Sequence, residues 1–158
     1  MTRKRYAWFI KTVACILSII LVVPFSASAV ATDTIAPRAS DYLASYTSYI
    51  CHMGGGDLEI WYRVTGTGPD WADIGVLKIQ LYESTDRVNW TWVDTFMHYD
   101  YETMLAHDTW QHMSHVDYQG RLGKYYRAYV CIWAGDADNN GDARYFWTDV
   151  EYASPLNP

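Results

Sequence analysis

The chain has 158 residues, with 18 Asp and Glu against 12 Lys and Arg, which gives a formal net charge of −6 at pH 7. An acidic surface repels phosphate backbones and anionic lipid headgroups, so nucleic-acid and membrane-surface partners are not expected. Aromatic residues make up 16% of the chain, including 8 Trp and 14 Tyr. This content favours β-strands and their cores, and it also suits exposed stacking surfaces.

Residues 1–31 have the features of a secretory signal peptide. Four basic residues precede an apolar run over residues 13–25, and small residues at A-x-A spacing follow over 26–31. A retained membrane anchor is the alternative, but the apolar run is shorter than the roughly 20 residues that a spanning helix needs. We therefore expect cleavage near the end of this segment, a secreted extracellular protein, and a flexible lead over residues 32–40.

About seven strands are predicted over residues 41–152, with residues 153–158 as a tail. The segment Leu58–Thr65 alternates apolar and polar side chains most clearly, which is the period of a half-buried strand. Turns rich in Gly, Pro and Asx separate the strands, and this pattern indicates an all-β antiparallel sandwich of two sheets. The predicted strands are residues 41–53, 58–65, 75–83, 90–97, 110–118 and the two runs of a hairpin within 125–148.

Alternation also predicts which side of each strand is buried. The aliphatic sides are expected to face the core, and the opposite sides are expected to meet water or a ligand. In the run over residues 90–97, the same rule places Trp92 on the same side as Phe96. The expected core-facing residues are Leu58, Ile60, Tyr62 and Val64; Leu77, Ile79 and Leu81; and Tyr126, Ala128, Val130 and Ile132. The expected outward residues of the last run are Tyr125, Arg127, Tyr129, Cys131 and Trp133.

The run Gly123–Ala134, with a glycine ahead of Tyr126 and small or aliphatic residues at alternate positions after it, resembles the sixth strand of fibronectin type III and related immunoglobulin-like domains. The resemblance implies an immunoglobulin/fibronectin III-like sandwich in which Tyr126 is the corner tyrosine. A competing alignment takes Tyr129-Val130-Cys131 as the Tyr-x-Cys of antibody-type domains, which implies a disulfide to Cys51 and a core position for Trp61. The fibronectin-like register buries the more apolar side and is preferred, and pairing of the two cysteines stays open.

Four further motifs are Val64–Gly68, Ile74–Val76, Tyr82–Asp86 followed by Trp90, and the hairpin from Trp133–Gly135 to Arg144–Tyr145. Through these motifs the chain is similar, over roughly residues 41–150, to an uncharacterised family of small exported proteins from Gram-positive bacteria. The similarity implies the same fold and compartment, and it carries no known activity.

The hairpin turn has the opening of a calcium-binding loop. Asp136, Asp138, Asn140 and Asp142 place oxygen donors at alternate positions, with a glycine where the chain must turn sharply. The twelfth position, where a bidentate acid is expected, is Trp147, and strands rather than helices flank the loop. An acidic turn is therefore favoured, with calcium binding by these four residues as the alternative and no other cofactor expected.

Three histidines, His107, His112 and His115, lie close in sequence with Asp108, and neutral imidazole is a common zinc ligand. Because positions 112 and 115 differ by an odd number, a regular strand would place these two side chains on opposite sides. Solvated loop or edge histidines are therefore favoured over a zinc site.

No nucleophile motif, zinc-protease motif or phosphate loop occurs, and no spacing indicates an acid/base carboxylate pair. We predict a non-enzymatic binding module that recognises an extracellular glycan or protein through surface aromatics. A self-assembling structural protein and a metal-dependent hydrolase are the alternatives, and rings that only cap the sheets are the simplest structural explanation. The predicted ligand-binding residues are Trp61, Trp71, Tyr99, Tyr101, Trp110 and Trp133.

Overall fold

The computed structural model describes residues 40–68, 71–138 and 140–155, all within the unit Ala36–Pro158. The predicted signal peptide and residues 32–39 of the predicted lead lie outside this part of the chain. Helix in the described residues amounts to one short 3₁₀ turn, Glu102–Met104, and none of it has the length and apolarity of a membrane span.

Nine strands account for most of the described residues, and every predicted strand is among them. Two short strands, the fifth and the ninth, are additional to the prediction. The strands are β1 (Leu43–Gly54), β2 (Asp57–Gly66), β3 (Trp71–Ser84), β4 (Thr91–Met97), β5 (Leu105–Thr109), β6 (Gln111–Gln119), β7 (Tyr125–Gly135), β8 (Gly141–Trp147) and β9 (Glu151–Tyr152).

The strands form two antiparallel sheets. The smaller sheet has the order β1-β2-β6, and the larger has the path β4-β3-β7-β8, with β5 paired to β3 and β9 paired to β7. Some strands that are hydrogen-bonded neighbours are far apart in sequence, such as β2 with β6 and β3 with β7. The crossover connections between them are typical of immunoglobulin-like sandwiches. The predicted all-β, immunoglobulin/fibronectin III-like sandwich is therefore confirmed.

The core lies between the aliphatic sides of the two sheets, as the alternation predicts. The inward residues of β2 and β7 are at most 1% exposed, and fully burying each Val, Leu or Ile side chain stabilises the fold by about 1.5–3 kcal/mol. These residues are Leu58, Ile60, Tyr62 and Val64 on β2, and Tyr126, Ala128, Val130, Ile132 and Ala134 on β7.

Two register shifts correct the predicted sides of β3 and β4. In β3, the pairing with β7 skips Leu77, and this bulge leaves Leu77 only partly buried while Val76 and Ile79 on either side are fully buried. In β4, a shift between Trp92 and Asp94 turns Trp92 outward, whereas Phe96 is 3% exposed in the core. The prediction that Trp92 and Phe96 share a side is wrong, because an extra residue in a strand reverses every side chain beyond it.

Tyr126 makes the corner contact that the fibronectin resemblance implies. The backbone N–H of Arg121 donates to Tyr126 Oη at 2.7 Å, and Tyr126 Oη donates to Glu83 Oε2 at 3.2 Å. Burial raises the pKa of Tyr126, so the hydroxyl keeps its proton at neutral pH and serves as donor and acceptor together. The role predicted for Tyr126 is confirmed.

The two cysteines of the described residues, Cys51 and Cys131, are free thiols. Cys51 is paired with Glu59 on β1 and β2, and Cys131 lies on β7 between the fully buried inward residues Val130 and Ile132. Both thiols therefore lie on the outer sides of different sheets, with the core between them. The antibody-type alignment, with its disulfide, is wrong for this chain.

Candidate functional site

The outer side of the six-stranded sheet carries a continuous set of aromatic side chains. They are brought together by register: Tyr82 is opposite Trp92 and Arg127, and Tyr129 is opposite Trp147. Because side chains alternate along β7, Tyr126 and the aliphatic residues fill the core while the rings of Tyr125, Tyr129 and Trp133 lie on the outer side. We call this surface the aromatic face; its rings are Tyr82, Trp90, Trp92, Tyr125, Tyr129, Trp133, Tyr145, Trp147 and Tyr152, and Arg127 lies among them.

Arg127 lies between two indole rings near the middle of the aromatic face. Its Cζ atom is 4.2 Å from the centroid of the Trp90 ring and 4.1 Å from the centroid of the Trp147 ring. Its Nε atom is buried and has no hydrogen-bond partner within the described part of the chain. Cation–π contacts of this kind contribute about 0.5–2 kcal/mol each, and here they hold the guanidinium in place.

The rings of the aromatic face also pack on one another. The centroid of Tyr129 is 4.8 Å from that of Trp147 and 5.8 Å from that of Tyr145, and Tyr82 meets Trp147 edge-on at 5.2 Å. Each such pair contributes about 0.5–1.5 kcal/mol beyond its buried area. Because the rings support one another, a ligand would meet side chains that are already ordered.

A large part of this aromatic surface remains open to solvent. Trp92 is 56% exposed, Tyr145 54%, Trp147 43% and Tyr152 42%. Contiguous exposed apolar surface of this kind is uncommon on monomeric soluble proteins and marks interaction sites. The rings at the centre of the aromatic face are partly buried, and the exposed rings pack against them.

The aromatic face is almost free of carboxylates, although the chain is acidic. Glu83 and Asp94, on the strands that carry this face, are opposite the inward residues Tyr126 and Leu81 and therefore lie on the other side of the sheet. Asp73 lies at the far end of β3, beyond the bulge, where it is 2.6 Å from His107. Between these limits, the charged outward positions of the paired strands are Lys78 and Arg127.

The predicted ligand-binding residues are divided among several surfaces. Trp133 belongs to the aromatic face, and its indole covers Gly135 and Gly141, where an added Cβ would come within 2.6 Å of the ring. Trp61 lies on the outer side of the three-stranded sheet, with the core between it and Trp133. These two tryptophans therefore cannot belong to one platform.

The other four predicted residues lie near strand ends. Tyr99 and Trp110 are 68% and 51% exposed, and the Tyr101 ring contacts Phe96 with 5.4 Å between centroids. Trp71 begins β3, and its side chain lies outside the described part of the chain. Most of the aromatic face is not predicted from the sequence, although alternation in β7 places Tyr125, Arg127 and Tyr129 beside Trp133.

The predicted calcium loop forms the turn between β7 and β8. Asp136 Oδ1 accepts hydrogen bonds from the backbone N–H groups of Asp138 (3.0 Å) and Asn140 (2.9 Å), and the Asn140 side chain lowers the pKa of Asp136. Asp142 accepts a hydrogen bond from the Ser40 hydroxyl and lies 3.6 Å from Arg144. These carboxylates brace the turn and its contact with the chain before β1, and calcium binding by the loop stays a prediction.

The three histidines of the predicted cluster are separated by the strands. His107 Nδ1 is 2.6 Å from Asp73, His112 Nε2 donates to the Thr103 carbonyl at 2.7 Å, and His115 is paired with Trp61 across β2 and β6. His112 is opposite the inward Val64, so the predicted opposite orientation of His112 and His115 is confirmed.

Comparison with protein-family models and with curated protein sequences returns no match. The class of the protein therefore rests on its own fold and surface, which define an immunoglobulin/fibronectin III-like sandwich domain with an aromatic outer face. Aromatic rings and an arginine on a supported, open surface can bind a ligand by stacking and desolvation.

Proposed function

We propose that this protein is a secreted, non-enzymatic binding module that docks a partner protein on its aromatic face. The observation that carries the proposal is the open set of Trp and Tyr rings, packed around Arg127 and almost free of carboxylates, on one side of the larger sheet. Nothing in the sequence indicates a nucleophile or an acid/base pair, so the proposal involves recognition without chemistry.

A protein partner agrees best with the composition of the surface. Protein interfaces are enriched in Trp, Tyr, Met and Arg and depleted in Asp, Glu and Lys, and their binding energy concentrates in Trp, Tyr and Arg. The rings are also tilted against one another, by 28° to 63° in the contacts of Tyr129 and Tyr82, rather than lying in one plane. A tilted, uneven set of rings suits the irregular surface of a protein better than a flat sugar chain.

The charge on the aromatic face narrows the chemistry of the partner. Lys78 and Arg127 lie on it, and the Arg87 guanidinium lies 5.5 Å from the ring centroid of Tyr125 at its margin. In a chain of net charge −6, this is a locally neutral to positive surface. The complementary partner surface combines apolar groups with carboxylates, because interfaces pair opposite potentials.

Site-specific photocrosslinking tests the proposal. A benzoylphenylalanine residue placed at Trp92 or at Tyr145 is expected to capture one protein from the surface extract of the producing cells. Matched controls are the same residue at Tyr99 or at Trp110, which are equally exposed aromatics outside the aromatic face. Lys78→Glu should weaken the capture, whereas Arg63→Glu, with the same change of charge on the other sheet, should not.

Other outcomes would overturn a protein partner. Equal capture from the control positions would mean that the aromatic face has no special role. Crosslinks only to a second copy of this chain would indicate self-assembly, and binding to a glycan array without any protein crosslink would indicate a carbohydrate ligand. The secreted setting of this proposal rests on the predicted signal peptide over residues 1–31, which says nothing about the partner.

A further inference from the structure

A cluster of two carboxylates and one imidazole lies on the outer side of the three-stranded sheet, with the core between it and the aromatic face. Glu59 on β2 is directly opposite Asp117 on β6, and the neighbouring outward pair is Trp61 with His115. Two strands in register thus place two carboxylates and one imidazole side by side. This arrangement is local to β2 and β6 and independent of the proposed docking surface.

The donor atoms of these three residues have the spacing of a metal site. One oxygen each from Glu59 and Asp117 and one ring nitrogen of His115 all lie within 4.8 Å of one another, and His115 Nε2 is 3.6 Å from Asp117 Oδ1. Zinc bonds to nitrogen and oxygen are about 2.0–2.2 Å long, so two donors on one tetrahedral ion lie roughly 3.3–3.5 Å apart. Small rotations of the exposed Asp117 and the partly exposed Glu59 and His115 side chains would close the remaining difference.

Trp61 holds two of the three donors in position. Its Nε1 atom donates to Glu59 Oε2 at 2.7 Å, and its ring packs on the His115 ring with 4.5 Å between centroids and 30° between planes. Hydrogen-bond partners that orient ligand carboxylates and imidazoles are a regular part of metal sites. The position of Trp61 is therefore explained by the support it gives to Glu59 and His115.

A groove of about 400 Å³ borders the cluster. It is lined by Glu59 and Asp117 together with Met53, Asp57, Leu58, Tyr118 and Gln119. Three protein donors beside an open groove leave further coordination positions for water or for a ligand from outside. This is the arrangement of an open metal site rather than of a closed structural one.

We propose that Glu59, His115 and Asp117 bind one divalent transition-metal ion, with Zn²⁺ as the best fit. The imidazole selects against calcium and magnesium, which prefer oxygen donors, whereas one nitrogen with two carboxylates suits zinc and its neighbours. The described residues supply three donors to this site, so the ion exchanges with solvent and one or more of its positions face the groove.

Isothermal titration of the tag-free protein with ZnCl₂ tests the site, with Co²⁺ absorption as a second readout of coordination. One Zn²⁺ per chain is expected, with binding lost in His115→Gln and in Asp117→Asn. Trp61→Phe keeps a ring on His115 but removes the donor to Glu59, and it should weaken binding by about 10–100-fold. His107→Gln, which removes an imidazole that lies on β5 beside Asp73, is the matched control and should bind Zn²⁺ as the unaltered protein does.

The site would be refuted by equal Zn²⁺ affinity in the unaltered protein and in Asp117→Asn, or by the absence of binding heat and of a Co²⁺ spectrum in the unaltered protein. Asp117 is 79% exposed, so its substitution leaves the fold intact and a loss of binding there reports on the ion. Crosslinking from the aromatic face is expected to be unchanged in these variants, which separates failure of the metal site from failure of the docking surface.

Discussion

Gly75→Ala is expected to destabilise the domain by about 3 kcal/mol. Gly75 lies in β3 with Trp133 of β7 on one side and Leu105 of β5 on the other, and its φ is +149°. A methyl group there would overlap the carbonyl oxygen of Met104 in a backbone conformation that alanine avoids. Urea denaturation followed by tryptophan fluorescence measures the loss.

Gly55→Ala is the matched control for this substitution. Gly55 also has a positive φ, +63°, but a Cβ built on it meets nothing within 4 Å. Only the backbone penalty of about 1–2 kcal/mol applies. Equal losses in the two variants would show that the close approach of β5 and the preceding 3₁₀ turn to β3 is absent in solution.

Ile132→Ala is expected to cost about 2–5 kcal/mol of folding free energy, the range for deleting a large aliphatic group from a packed core. Ile132 is fully buried on the inward side of β7, where it belongs to the main hydrophobic cluster. The same urea titration provides the measurement.

Tyr145→Ala provides the comparison on the opposite side of the sheet. Tyr145 is opposite Cys131, the neighbour of Ile132, and its ring is 54% exposed on the aromatic face. Its removal loses one stacking contact with Tyr129 and should cost about 1 kcal/mol. Similar losses for Ile132→Ala and Tyr145→Ala would contradict the assignment of inner and outer sides in this sheet.

Local alternation predicted the strands and their buried sides well wherever the strand is regular. In β2, Ile60 and Val64 are inward as predicted, and in β7 Val130 and Ile132 are inward too. The prediction failed at Leu77 and Trp92 because a bulge adds one residue without leaving a local signal. Bulges depend on what the neighbouring strand does, and that strand is distant in sequence.

For the same physical reason, only part of the aromatic face could be predicted from the sequence. Alternation groups Tyr125, Arg127 and Tyr129 within one strand, but it cannot show that Trp147 and Trp92 come from neighbouring strands. Those relations depend on which strands pair and in which register, and both are set by contacts across the whole chain. Trp61 and Trp133 were grouped because each faces outward, but they lie on different sheets.

The metal cluster illustrates the same limit. Along the chain the neighbours of His115 are His107 and His112, whereas in the fold its neighbours are Asp117 and Glu59. Glu59 is far away in sequence and becomes a neighbour only through the pairing of β2 with β6. Spacing along one strand could indicate His115 and Asp117 as a same-side pair, but the third donor required the sheet order.

Hydroxyl-radical footprinting of the purified protein, resolved by mass spectrometry, tests directly which sides of the two sheets are open to solvent and which form the core. If the aromatic face is open and the aliphatic sides form the core, Trp92 and Tyr145 should be oxidised about as fast as the loop residue Tyr99, while Tyr62 and Tyr126 stay protected. Protection of Trp92 and Tyr145 at the level of Tyr126 in the dilute protein would contradict an open docking surface, and rapid oxidation of Tyr62 would contradict the fold.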